Sequence, residues 1–228
     1  MKSTFAAVAV LAALSTAAQA ADLKICVEGA YPPFSSTAAD GSVVGFDIDI
    51  ANALCGEMGM SCEMVKSDWD GIIPALLERK CDAIIASMSI TPERMQVIDF
   101  SNKYYQTPAK FAGAAGMTVT ELDGKTVGVQ RGTIHQSFLE GEFPGVELKL
   151  YGSQDAAYLD LVAGRVDAIM ADSIAISDGF LATDAGEGSA FFGGDYAHPK
   201  YHRVRPGIGV PPGQSTLRKP SPPPLEPN

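Results

Sequence analysis

Positive charge is scarce in this chain. Seventeen Lys and Arg stand against 27 Asp and Glu, a formal net charge of −10. That balance excludes a nucleic-acid surface and works against adsorption to anionic membranes. Histidine is rarer still, present only as His135, His198 and His202. The last two have the i,i+4 spacing of some metal sites, but Pro199 and the proline-rich context deny them a shared helix face, so no metal is expected. The chain has no Gly-x-Ser-x-Gly, no His-Glu-x-x-His and no phosphate loop, and Ser87 has no evident His–Asp partner. No catalytic residue and no cofactor is therefore expected. Cys-x-x-Cys is missing too, which leaves zinc-ribbon and thioredoxin-like readings without support. No apolar run approaches the length needed to span a bilayer.

What is present suits a folded, exported chain. Hydrophobic residues make up 46% and charged residues 19% of the 228, enough for a real core. Met1–Ala20 has the form of a secretory leader: Lys2, an apolar stretch Phe5–Leu14, then Ala18-Gln19-Ala20 before the cut. The mature protein is expected to be soluble and exported. Export permits disulfides, and the four cysteines allow three connectivities. Cys55 and Cys62 close a short loop behind a predicted helix and are the best-placed pair. Cys26 and Cys81 each fall in a predicted strand, where buried free thiols are the simplest reading.

The chain alternates strand and helix: Leu23–Val27, Asp47–Met58, Glu63–Val65, Ile72–Leu77, Ala83–Ala86. This is a doubly wound α/β unit. Asp99–Ala115 reads as a connector, after which the pattern resumes: Thr126–Gln130, a helix starting over Ile134–Leu139, Val146–Tyr151, a helix from Ser153 to Ala163 ended by Gly164, and Val166–Ala171. Leu76–Ser87 and Leu161–Asp172 echo each other: each ends a helix, passes a basic residue, and runs Asp-Ala-Ile into a strand with a polar end. Two lobes with matching strand ends facing a cleft would follow.

Cys81–Arg94 is the organising stretch. An apolar strand turns polar at Ser87, Ser89 and Thr91, and Thr91-Pro92 reads as cap and first residue of a helix that carries Arg94 in its first turn. A cation there opposes the helix dipole unless an anion offsets it. Hydroxyls, helix N–H groups and an arginine at a strand end fit a carboxylate. Asp172, at the matching end, fits an ammonium. Ser87, Ser89 and Thr133 supply hydroxyls, Tyr31 and Trp69 could cover a side chain, and Glu28 favours a cationic tip. Together they describe a receptor for an α-amino acid.

The motifs EGAYPPF (Glu28–Phe34), GFDIDIANALC (Gly45–Cys55), SDWDGIIPAL (Ser67–Leu76), DAIIASMSITPER (Asp82–Arg94), IDFSNKYY (Ile98–Tyr105), TVGVQRGT (Thr126–Thr133) and GRVDAIMAD (Gly164–Asp172) resemble those of periplasmic solute-binding proteins of polar amino-acid ABC importers. The likeness is nearest to the lysine/arginine/ornithine-, histidine- and opine-binding branch. It implies a two-lobed α/β fold of the type II periplasmic-binding-protein class, joined by two crossover strands near Gln106–Pro108 and Gly193–Ala197. Residues 21–107 would open lobe 1, 108–194 form lobe 2, and 195–210 return to lobe 1. The resemblance assigns Arg94, Ser89 and Thr133 to a ligand carboxylate, and Asp172 with Ser87 to its ammonium. Tyr31 and Trp69 would flank the side chain, with Glu28 at its tip, and Cys55–Cys62 would be the family disulfide. The implied partners are a basic amino acid or opine and a membrane ABC permease, with the receptor a monomer.

The end of the chain departs from that pattern. After Gly207–Val210, residues 211–228 are proline-rich where the family has helices, so the C-terminal part of lobe 1 is atypical or truncated. A frameshifted, non-functional product would have this look. Two further functions compete with the receptor: a dehydratase-like enzyme on the same fold, and a sensory module feeding a membrane receptor.

Overall fold

The computed structural model describes residues 23–197, 201 and 206–213. The leader, His198, His202 and most of the proline-rich tail lie outside the described residues. In chain order the first lobe runs β1 (Leu23–Val27), β2 (Ala30–Tyr31), β3 (Ser35–Thr37), β4 (Val43–Val44), α1 (Phe46–Met58), β5 (Cys62–Lys66), α2 (Trp69–Leu77), β6 (Ala83–Ile84) and β7 (Asp99–Lys103). Residues 104–108 cross to the second lobe. There follow β8 (Ala109–Ala114), β9 (Thr126–Gln130), α3 (Ile134–Glu142), β10 (Glu147–Tyr151), α4 (Gln154–Val162), β11 (Ala168–Asp172), α5 (Ser173–Ile176) and β12 (Ser189–Tyr196). Strand β13 (Gly207–Val210) returns to the first sheet.

The two sheets have one design. Lobe 1 is ordered β5-β1-β6-β13-β7 and lobe 2 β10-β9-β11-β8-β12. In each, three parallel strands are continued by two antiparallel ones. The alternation of side chains along β1 shows why both faces must be covered. Ile25 and Val27 pack beneath α1 with Ile48 and Ala51, while Cys26 faces Ile72, Leu76 and Ile84 on the α2 side.

The internal echo is a structural repeat. Asp82 and Asp167 each accept a backbone N–H from the neighbouring strand at 2.8 Å, Lys24 N in one lobe and Thr126 N in the other. Arg79 and Gly164 occupy the same left-handed position after their helices, with φ of 61° and 68°. Glycine is at ease there, whereas Arg79 takes on a conformation that costs an L side chain about 1 kcal/mol.

Several expectations change. Residues 99–115 are not a mere connector. They hold β7 in one sheet and β8 in the other, and only 104–108 cross. Strand β12 runs on to pair with β8 at Tyr196, within the stretch expected for the second crossing. The helix expected from Ile72 starts earlier, with Trp69 as the first residue of α2. Cys26 and Cys81 are not free thiols: they are joined to each other, as are Cys55 and Cys62. Cys81 precedes β6, which pairs with β1, so the two buried sulfurs are brought together by strand pairing.

Candidate functional site: the cleft between the lobes

Strand ends from both lobes meet around a small cavity. All eight residues singled out from sequence line it: Glu28, Tyr31, Trp69, Ser87, Ser89, Arg94, Thr133 and Asp172. The lobes are tied across it by hydrogen bonds. Tyr31 donates its hydroxyl to Asp172 Oδ2 at 3.0 Å, Gln130 donates to Glu28 Oε1 at 2.6 Å, and Arg94 Nη2 donates to Gly132 O at 3.0 Å. Further out, exposed Arg131 meets Asp70 at 2.6 Å.

Arg94 does not sit in an α-helix. Thr91 does cap it, its hydroxyl accepting from Arg94 N at 3.2 Å, but only one 3₁₀ turn follows, Arg94–Gln96. A run this short has little dipole, so what holds the guanidinium is local. Arg94 Nη1 donates to Ser89 O at 2.6 Å, and the group lies 5.2 Å from the Trp69 ring centre. Burial lowers its pKa to about 10, so it stays charged at neutral pH. Two of its five N–H donors are engaged by these carbonyls, leaving others for an anion. Helix α3 starts across the cleft from Arg94, on the second lobe. Thr133 is its N-cap, accepting from Gln136 N at 3.3 Å and donating to Gln130 O at 2.7 Å, and Ile134 and His135 continue the lining. The positive end of that helix therefore reinforces Arg94.

The lining is also acidic. Asp172 is pushed up to about 7, chiefly by burial, with the Tyr31 hydrogen bond pulling it back. His135 Nε2 lies 3.8 Å from its other oxygen. Glu28 is likewise raised to about 7 by burial, against the Gln130 hydrogen bond and with the charges of Asp155, Asp47 and Asp68 adding to the rise. A third carboxylate, Asp47, stands behind Ser87 at the start of α1. It accepts from Ser87 Oγ at 2.9 Å and from Tyr104 at 2.7 Å, and burial raises it to about 6. Ser87, with φ of 52°, therefore spends its hydroxyl proton on Asp47. Sequence reasoning passed over Asp47, Gln130, His135 and Gln154. The only signal for Gln130 was its place before Arg131-Gly132-Thr133 at a strand end.

A two-lobed α/β molecule with a polar cavity at its cleft, lined by both a cation and carboxylates, is the architecture of a binding receptor for a small zwitterion. A family profile described as bacterial extracellular solute-binding proteins, family 3, matches residues 23–219. The chain is 48% identical over 215 residues to an L-arginine-binding protein of Pseudomonas aeruginosa, covering 91% of this chain and 83% of that one. It is 40% identical over 221 residues to the lysine/arginine/ornithine-binding periplasmic protein of Escherichia coli, covering 92% and 85%. Among solved structures it resembles an arginine-specific periplasmic binding protein of Salmonella typhimurium, with a TM-score of 0.79 at 33% identity over 86% of this chain and 87% of that one. The chain belongs to the family 3 bacterial extracellular solute-binding proteins.

Proposed function

We propose that the protein is a periplasmic receptor that captures a basic L-amino acid in the cleft and delivers it to a membrane ABC permease. The observation that carries this is the lining of the cavity: Arg94 and the α3 N-terminus supply positive charge and dipole, and the carboxylates of Asp172 and buried Glu28 supply negative charge. An α-carboxylate would take the remaining Arg94 donors, aided by Ser89 and Thr133. An α-ammonium would pair with Asp172, with Ser87 accepting. Tyr31 and Trp69 would flank the stem and Glu28 would take the cationic tip. Two buried carboxylates facing one such ligand recover on binding the charge partners that burial denies them. No chemical step is involved, and the receptor acts as a monomer. Its relatives' ligands support this reading.

Trp69 is the only tryptophan, so its fluorescence reports the site directly. Titration with arginine, lysine or ornithine should give a saturable change, and glutamate and leucine should give none. A protein folded by circular dichroism that responds to no amino acid would overturn the proposal.

A further inference from the structure

We propose that Gln130 is a specificity-determining residue of the cleft, holding Glu28 so that the cavity prefers a guanidinium tip to an ammonium. The inference rests on the basic-amino-acid reading above.

Gln130 and Glu28 belong to different lobes. Gln130 ends β9 and Glu28 follows β1, and both side chains are almost wholly enclosed, at 3% and 5% exposure. The Gln130 amide nitrogen donates to Glu28 Oε1 at 2.6 Å and to Gly152 O at 3.2 Å. A carboxylate and a carbonyl are both acceptors, so the two amide hydrogens are committed and the orientation of the amide is fixed. The polar atom that remains on Gln130 is an oxygen, which only accepts. Glu28 in turn has one oxygen engaged and one left. Glu28 and Gln130 both line the cavity, so a carboxylate oxygen and an amide oxygen remain there as acceptors, one from each lobe. Asp47, Asp68 and Asp155 add negative potential at Glu28. Among the described residues Arg94 is the one Lys or Arg lining the cavity, and it is turned onto Ser89 O and Gly132 O.

Two acceptors from two lobes match a planar tip whose N–H groups diverge in one plane. A guanidinium reaches both at once. An ammonium concentrates its charge at a point and gains chiefly from Glu28, and Glu28 has already given one oxygen to Gln130. The same bond links tip recognition to closure, since Gln130 reaches Glu28 only when the lobes meet.

The test is calorimetric titration of the full mature protein with arginine and with lysine, in wild type and in Gln130→Met. The wild type should favour arginine. The Met variant keeps the volume and removes the amide, so arginine affinity should fall about 10–100-fold, the worth of a hydrogen bond to a charged group. Lysine affinity should fall far less, so the arginine-to-lysine ratio collapses. A general loss of stability would weaken both ligands alike and leave the ratio standing. Should Gln130→Met fail to fold, Gln130→Asn withdraws the amide by one methylene and should shift the ratio the same way. A wild type that binds lysine as tightly as arginine, or a folded variant with an unchanged ratio, overturns the role of Gln130 alone. A wild type that binds neither overturns the receptor reading and this inference with it.

Discussion

Replacing Asp172 by asparagine should make the ligand-free protein more stable and make it a poor receptor. The side chain of Asp172 is 13% exposed, and its neighbours include the Tyr31 and Tyr105 hydroxyls and His135. Burial raises its pKa from 3.8 to about 7. Each pH unit between those values is worth about 1.4 kcal/mol, so keeping the group ionised in the native state costs about 4 kcal/mol above pH 7. The sign follows from which state holds the proton more tightly. Here it is the folded one, so wild-type stability rises as pH falls from 7 towards 4 and is lowest in alkaline solution. Asparagine has the same shape, can still accept from Tyr31, and never ionises. At pH 8 the Asp172→Asn variant should gain up to about 4 kcal/mol, or roughly 8–15 °C in Tm for a chain of this size. At pH 5 the gain should shrink to about 1–2 kcal/mol. Arginine affinity should fall about 30-fold or more at pH 8, because a buried charge pair has lost one member. Differential scanning fluorimetry across pH, with and without arginine, reads all three effects. A gain that is absent at pH 8, or equal at pH 5 and pH 8, would refute the burial argument.

Two further outcomes are expected. Gly179 faces Pro32 of the other lobe, and a Cβ there would lie 2.7 Å from the Pro32 carbonyl oxygen. Gly179→Ala should therefore cut arginine affinity about tenfold or more by resisting closure. The ligand-free Tm should move by no more than about 2 °C, because neither lobe's own core is touched, and an affinity within threefold of wild type would show that the contact yields. The disulfides should differ in worth, because Cys26–Cys81 spans 55 positions of chain and Cys55–Cys62 only 7. By loop-closure entropy, replacing the first pair with alanine should cost about 4 kcal/mol in urea unfolding and the second about 2.5 kcal/mol. Equal or reversed costs would show that denatured-chain entropy does not govern them.

Much of this could be read in the chain before any coordinates. Arg94 and Asp172 declare themselves because a charged side chain at the polar end of an apolar strand has few structural explanations. The repeat declares itself because Asp-Ala-Ile recurs with its flanking helix ends. What escaped was of two kinds. The partnership of Cys26 with Cys81 depends on β1 and β6 being neighbours, which is topology and leaves no trace in local pattern. Strands β8 and β12 are rich in glycine, alanine and phenylalanine with little alternation, so their sequence looks like linker. At the site, Gln130 and Gln154 are neutral amides of a kind found on any surface, and only their burial marks them. Asp47 reads as an ordinary acid in the first turn of a helix, which it is, and nothing local reveals that Ser87 and Tyr104 close over it.

The repeat gives the two halves the same joinery, down to the aspartates that pin β6 and β11 to their neighbours. On their facing rims the halves then part company: the one carries Arg94 and the other Asp172. Two like shells with unlike terminals make a holder with polarity. On the proposed reading, an amino acid seats in it as a cell seats between its contacts, in one direction only. A ligand with a single pole, an amine without a carboxylate or an acid without an ammonium, would touch one terminal and leave the circuit between the lobes open.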